Sequence, residues 1–566
     1  MNLMIKRIIS VIITGLFVGT LVALLVQFFL NSADFLTTHF RKNYDDINFE
    51  EDYSYFIFFI YFFVIPVFIG VLVGIIRNLN KDKRWHGPPD VILSVHQDNK
   101  ELNIKSGFLT TIASILSISV GSSVGQYGPL VHFGGTIGAE IKKLFSFAPD
   151  YKILVSAGVA SAISSGFGAP LAGLIFAREV ILRHQSLASF SPILLSSIIS
   201  YVITTRVFDY EPAFEIPFVG INTFGEIIIL IFAGLFAGIF ASFYSYLLTT
   251  KKLNFLNFGN KPFLLPAYAA LICALVSIKF PEVTGIGAET INSLLNFEFD
   301  LSTALIFLFL KISLTTICIR MGLVGGIFAP ALFIGSSLGV ITFYFGSLLF
   351  PDINPTIIII SSMAALASCI IGGPIANVLI IFELTSNYEA ALSSGICIVV
   401  ATIISSQLIG QSTFDSLLKA KSIDIQDGRD ILFLKNVMIK DIIKKDFLKL
   451  YKDTKTSDAI TIFKKNKCSE AYYIDEQGIL KNKILLTGIL NSKSSSLIKD
   501  IKTQDYLVID AEENLVDVME KCKDFVGESI PVIDENRRLL GIFSENDLFI
   551  YYSKAQEMRK TEETKA

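Results

Sequence analysis

Two short segments have the residue types needed to offer backbone N–H groups to a small anion. The first is Gly125-Gln126-Tyr127-Gly128-Pro129 and the second is Gly326-Ile327-Phe328-Ala329-Pro330. Glycine allows unusual backbone and close approach, and proline favours a helix start. A helix N-terminus carries unsatisfied N–H groups and partial positive charge, so its natural ligand is an anion; a cation would meet the wrong sign of dipole. The middle residue of the first segment decides what else such a site can do. A carboxylate there could carry protons and compete with the anion. The Tyr127 hydroxyl, with a reference pKa of about 10, stays neutral near pH 7. A third cluster, Trp85-His86-Gly87-Pro88-Pro89-Asp90, is either a plain loop turn or another helix start of the same kind. Close packing of helices through glycine is the alternative reading of the glycines in the first two segments.

The elements that must hold these segments are membrane helices. The chain has 566 residues, of which 52% are hydrophobic and 17% charged, which is apolar for a soluble protein of this length. Residues 8–30, 55–76 and 356–382 carry no charge, and each run reaches the roughly 20 residues that span a hydrocarbon core. Further apolar stretches lie near 189–205, 225–248, 263–279, 302–318, 331–350 and 390–409. The first run is too long for a signal-peptide core and is expected to be retained. Lys6 and Arg7 precede it, and Arg77, Lys81, Lys83 and Arg84 follow the second run. Asp45, Asp46, Glu50, Glu51 and Asp52 lie between the two. The positive-inside rule then puts the N-terminus and the 77–90 loop in the cytoplasm of a cell bounded by a plasma or inner membrane. On that side His86, with a reference pKa of about 6.5, is either a pH-responsive group or a packed neutral donor.

The six cysteines form no CxxC pair and four fall in apolar segments, so they read as small core residues. No metal site, nucleophile–base pair or nucleic-acid partner is expected, and the net charge of −3 says little about partners.

The membrane block, residues 1–420, repeats itself. Pro129 is followed by Gly134 and Gly138, and Pro330 by Gly335 and Gly339, at identical spacing. Residues 157–179 match 361–383 without a gap, pairing Pro170 with Pro374 and Glu179 with Glu383. Two repeats with interrupted helices mark transport proteins, whose sites lie where half-helices meet near the midplane. After a linker at 421–434 the composition turns to a soluble α/β block at 435–556, then a polar tail at 557–566. The block reads as two halves, each strand, helix, strand, turn, strand. In the first half the last strand is expected at 486–490, and in the second at 540–544.

GQYGP at 125–129, GFGAPLAGLIFARE at 166–179, GGIFAP at 325–330 and FELTSNY at 382–388 resemble the CLC family of chloride channels and proton–chloride exchangers. The resemblance implies an all-α polytopic fold, an inverted repeat of tilted, broken helices, with a C-terminal α/β pair of CBS domains. It implies a homodimer in lipid with one pore per subunit. Backbone N–H groups of Ile327 and Phe328 would hold a central anion, chloride or another small anion. Those of Gln126, Tyr127 and Gly128 would form an outer site. His86 and Gly87 fall on the family's first filter motif, where a serine is usual, and Phe414 falls where a tyrosine is usual. Tyr127 stands at the gating glutamate and Val180 at the inner proton-relay glutamate, while Glu179 and Glu383 are taken as structural. Tyr127 would then gate by ring rotation, donate to the anion, or both. The CBS resemblance implies adenine-nucleotide binding (ATP, ADP or AMP) through Ser544 and Asp547, with Gly488 to Ser494 as the incomplete counterpart in the first half, or a purely structural role. The expectation is therefore a passive anion channel. The alternatives are a proton-coupled antiporter and a nucleotide-sensing membrane scaffold.

Overall fold

The computed structural model describes residues 2–41, 47, 53–97, 101–145, 147–183, 187–209, 220–221, 223–250, 262–410, 412–420, 434–435, 437–501 and 505–565. The chain divides into two compact units, Met1–Ile423 and Asp424–Lys565. The expected linker at 421–434 lies outside the described residues except for Leu434, and the acidic 45–52 loop does so except for Ile47.

The first unit is helical. Its first half contains α1 (Asn2–Phe40), α2 (Ser54–Phe59), α3 (Ile65–Leu79), α4 (Pro88–His96), α5 (Ile104–Ser119), α6 (Tyr127–Leu144), α7 (Tyr151–Phe167), α8 (Pro170–Phe176) and α9 (Leu187–Val207). Its second half contains α10 (Phe224–Thr249), α11 (Leu265–Ser277), α12 (Ala288–Leu295), α13 (Leu301–Met321), α14 (Phe328–Ser347), α15 (Pro355–Ile371), α16 (Pro374–Thr385), α17 (Tyr388–Ile409) and α18 (Thr413–Lys419). Among the described residues seven helical stretches are long and apolar enough to cross a membrane.

The repeat is visible as two matched breaks. α7 ends on Gly168, whose φ of 66° is left-handed, and Pro170 opens α8. α15 ends on Gly372, with φ of 74°, and Pro374 opens α16. A left-handed glycine followed by an N-terminal proline stops one helix and starts another. The apolar run at 356–382 is therefore two helices, not the single crossing that its hydropathy suggested. The packing is matched as well. α6 lies on α7 and α14 on α15, the two most extensive helix contacts in the unit. A Cβ at Gly339 would sit 2.5 Å from the Ile359 Cα, so this glycine serves close packing. Cys273, Cys318, Cys369 and Cys397 are buried.

The second unit holds two small sheets. β1 (Lys449–Leu450) runs parallel to β2 (Glu470–Ile474), which pairs antiparallel with β3 (Leu480–Leu485). β4 (Ile509–Asp510), β5 (Ile530–Ile533) and β6 (Leu539–Phe543) repeat that order. α19 (Thr456–Asn466) and α20 (Leu486–Leu490) accompany the first sheet, and α21 (Leu515–Lys521) and α22 (Glu545–Lys565) the second. Each half has its own apolar core, around Phe463 and Phe543. One expectation needs correction. Residues 486–490 are helix α20, because the strand comes one step earlier, where β3 pairs with β2 and ends at Leu485. α22 runs on through the expected polar tail to Lys565.

Candidate functional site

The two glycine-rich segments meet. Gln126 is the N-cap of α6, which starts at Tyr127, and Ile327 is the N-cap of α14, which starts at Phe328. The Gly125 N–H donates to the Gly326 carbonyl at 2.7 Å, and the Gly326 N–H returns a bond to the Gly125 carbonyl at 2.5 Å. A Cβ at Gly326 would lie 2.6 Å from the Gly128 backbone nitrogen. Only glycine permits this approach, and the approach brings two positive helix ends together.

Aromatic rings close the space in front of them. Tyr127 stacks on Phe167, with centroids 3.7 Å apart and planes 13° from parallel. Phe328 meets Tyr127 edge-on at 5.9 Å and Phe167 edge-on at 5.4 Å. Tyr127 is buried, and its hydroxyl donates to the Gly166 carbonyl at 3.2 Å. The expected donation from that hydroxyl to an anion is therefore not its arrangement here. The hydroxyl anchors the ring to the end of α7.

A cavity of about 270 Å³ is lined by His86, Gly87, Tyr127, Gly128, Ile327, Phe328 and Phe414, together with Asp90 and Phe167. Seven of the eight expected filter residues thus share one space. Gln126 does not. It lines a second cavity, of about 840 Å³, with Arg41, Glu282, Gly287 and Glu289. The step from Gln126 to Tyr127 passes from one cavity to the other. Phe414 sits on α18 and presents a buried ring with no hydrogen-bond donor.

The start of α4 differs from the expectation. The Gly87 N–H donates to the Asp90 carboxylate at 3.0 Å, and Pro88 and Pro89 have no N–H. These three residues therefore offer no backbone donor to an anion. Asp90 also pairs with Arg84 at 2.7 Å, and its carboxylate lies 3.9 Å from His86 Nδ1. The His86 ring is 5.6 Å from the ring of His132, which is buried on α6 with Nδ1 unpartnered among the described residues. Sequence reasoning missed Asp90 and His132. Asp90 had a signal, an acidic residue three positions after a glycine cap; a lone histidine on an apolar helix has none.

The glutamates have swapped places across the repeat. Glu179 accepts from the N–H groups of Ile375 and Ala376 at 3.1 and 2.9 Å, at the start of α16. Glu383 accepts from Leu171 and Ala172 at 2.9 and 2.8 Å, at the start of α8. Each carboxylate meets two orphan N–H groups and a positive helix end. Both glutamates are engaged in holding the fold. Val180 is 1% exposed.

Residues 68–406 match the family model described as voltage gated chloride channel. The chain belongs to that family. A CBS domain model matches residues 498–554. A putative chloride channel protein, ClcB-like, from Ralstonia nicotianae is 26% identical over 58% of this chain and 79% of its own length. Chloride channel protein CLC-f of Arabidopsis thaliana is 24% identical over 87% of this chain and 62% of its own length; this chain thus spans less than two thirds of that plant protein. Among solved structures, a slow cyanobacterial Cl−/H+ antiporter superposes with a TM-score of 0.65 at 21% identity, covering 73% of this chain and 98% of its own. A eukaryotic CLC transporter superposes with a TM-score of 0.65 at 17% identity, covering 96% and 98%. These two likenesses establish the CLC fold.

In the CBS pair, Ser544 and Asp547 bond to each other through the Ser544 N–H, at 3.0 Å, and the Ser544 hydroxyl, at 2.5 Å. Lys444 reaches the Asp547 carboxylate at 2.7 Å. Burial raises the Asp547 pKa, but Lys444 and Ser544 together outweigh it, and the net shift is downward. Pairing β3 with β6 through the matched registers of Leu485 and Phe543 puts Leu486 opposite Ser544 and Ile489 opposite Asp547. The stretch from Gly488 to Ser494 is not the counterpart that the sequence suggested, since it begins inside α20.

Proposed function

We propose that this CLC protein is a passive chloride channel, with Tyr127 as its gate and with Tyr127 and Val180 in place of the two proton-pathway glutamates. One observation carries the reading. The point between the two cavities is held by stacked aromatic rings and not by a carboxylate. Asp90, the carboxylate in the lining, is already held by Arg84 and Gly87. Glu179 and Glu383 are bound to helix starts. An anion in the smaller cavity would take the N–H groups of Ile327 and Phe328, and a turn of the Tyr127 ring would open the way to Gln126 and the larger cavity. The cytoplasmic side carries the N-terminus and the CBS pair, the protein works as a homodimer in lipid, and adenine nucleotide binds near Ser544 and Asp547.

The second reading is a proton-coupled antiporter with unusual carriers. The His86–Asp90–His132 cluster beside the cavity favours it, and one of the structural neighbours is itself a Cl−/H+ antiporter. Reconstituted protein separates the two. With a chloride gradient fixed, a channel's reversal potential stays constant when a pH gradient is imposed. A shift with pH would establish coupling and remove the channel reading.

A further inference from the structure

The larger cavity is an awkward approach for an anion. Asp34, Glu282 and Glu289 line it, and Arg41 is the one cation among its described lining residues. Three carboxylates against one guanidinium would repel chloride before it reached Gln126. A second cation stands just behind the wall. Lys311, on α13, is fully buried. Its ammonium donates to the carbonyls of Val283 at 3.0 Å and Gly285 at 2.9 Å, and lies 4.6 Å from the centre of the Phe333 ring. Phe333 belongs to α14, the helix that starts at Phe328. Among the described residues no carboxylate pairs with Lys311.

The ammonium is close to the cavity. A Cβ built on Gly287, a lining residue, would lie 3.3 Å from Lys311 Nζ. One glycine therefore separates the charge from the approach to Gln126. Carbonyl dipoles and an aromatic face take the place of water around the ammonium inside a membrane helix. They solvate the charge without cancelling it, and burial shields its field from salt. Anchoring the 281–287 loop does not account for the residue, because Arg41 already holds that loop at the Pro281 carbonyl and the Thr284 hydroxyl.

We propose that Lys311 is a specificity-determining residue of the anion path, its buried ammonium behind Gly287 offsetting the acidic lining and drawing anions to the Gln126 side. This rests on the reading that the protein carries chloride. The test uses the full chain in planar bilayers, with chloride titrated on each face in turn. Lys311→Met is expected to raise the half-saturating chloride by about three- to tenfold on one face only, with maximal current within about twofold of the parent. Lys311→Arg, which keeps the charge, holds the parent value. Unchanged half-saturation on both faces in Lys311→Met overturns the proposal. So does an equal loss of maximal current in the Met and Arg variants with half-saturation unmoved, which would leave Lys311 a loop anchor. Where Lys311→Met does not assemble, Lys311→Gln keeps a donor for the carbonyls without the charge. Failure of both neutral variants beside a working Lys311→Arg also overturns it. A parent protein with no chloride flux of any kind would instead defeat the underlying functional reading.

Discussion

Glu179 closes the start of α16 and Glu383 closes the start of α8, so the same contact is made twice, once from each half of the membrane unit. The starts of α6 and α14 are matched in backbone but not in side-chain surroundings. The α6 side brings Tyr127, stacked on Phe167 and tied to Gly166, and beside it the His86–Asp90–His132 cluster around α4. The α14 side brings Phe328, an edge-on ring with no hydroxyl. Symmetry is kept where the scaffold must be held and abandoned where an ion would pass. The CBS pair follows the same rule on a smaller scale: Ser544 and Asp547 form a bonded pair in the second half, while Leu486 and Ile489 take their places in the first.

The largest effect should come from breaking the meeting point of the halves. Gly326→Ala places a methyl against the Gly128 backbone, and neither side is a flexible chain that can yield. Complete loss of folded protein or of flux is expected; normal chloride flux would show that the two helix starts need not touch. The paired clamps come next. Glu179→Ala and Glu383→Ala each remove the carboxylate from two N–H groups at a partly exposed helix end, at a cost of about 1–3 kcal/mol. Thermal unfolding of the detergent-solubilised protein should show losses of similar size, and a large loss in only one would end the claim of equivalence. Tyr127 then separates plug from donor. Tyr127→Ala should raise chloride flux about tenfold or more, whereas Tyr127→Phe should leave anion affinity unchanged and cost about 1 kcal/mol for the bond to Gly166. A marked change of affinity in Tyr127→Phe would return the hydroxyl to the anion site.

The smallest effect belongs to the CBS pair. Asp547→Asn should destabilise residues 424–565 by under about 1 kcal/mol at pH 7, because Lys444 is half exposed. The Asp547 pKa is depressed on folding, so its stabilisation is present above the unfolded carboxylate value of about 3.9 and fades as pH falls through the lower folded value. Denaturant titrations of parent and variant should therefore converge below about pH 4. A gap that widened with acid would contradict the sign.

Hydropathy and the internal repeat read different parts of this fold. Long runs exposed to lipid, such as the one in α10, stood out by composition. The α5 to α8 region did not, because it is rich in serine and glycine and is covered by protein, not lipid; the Gly and Pro spacing revealed it. The run at 356–382 misled for the opposite reason, since its apolar character continues across the break at Gly372. At the site, the helix starts and the ring at Phe414 were legible from motif order. Phe167 as the stacking partner of Tyr127 was not, because that pairing is set by how α7 ends against α6. Lys311 lay unremarked inside an apolar run, since nothing local tells which carbonyls will receive its ammonium.

The bridge between Gly125 and Gly326 joins residues 201 apart in the chain, and this sets an order in time. While the protein is being made, α6 can enter the bilayer before α14 exists, but the backbone groups of Gly125 must wait for a partner still to be synthesised. Such groups are costly to leave unpaired in lipid. The proposed anion site is thus a late product of assembly, built only when the second half arrives. A chain that stops before residue 326 would carry most of the residues of the first half's site and none of its function.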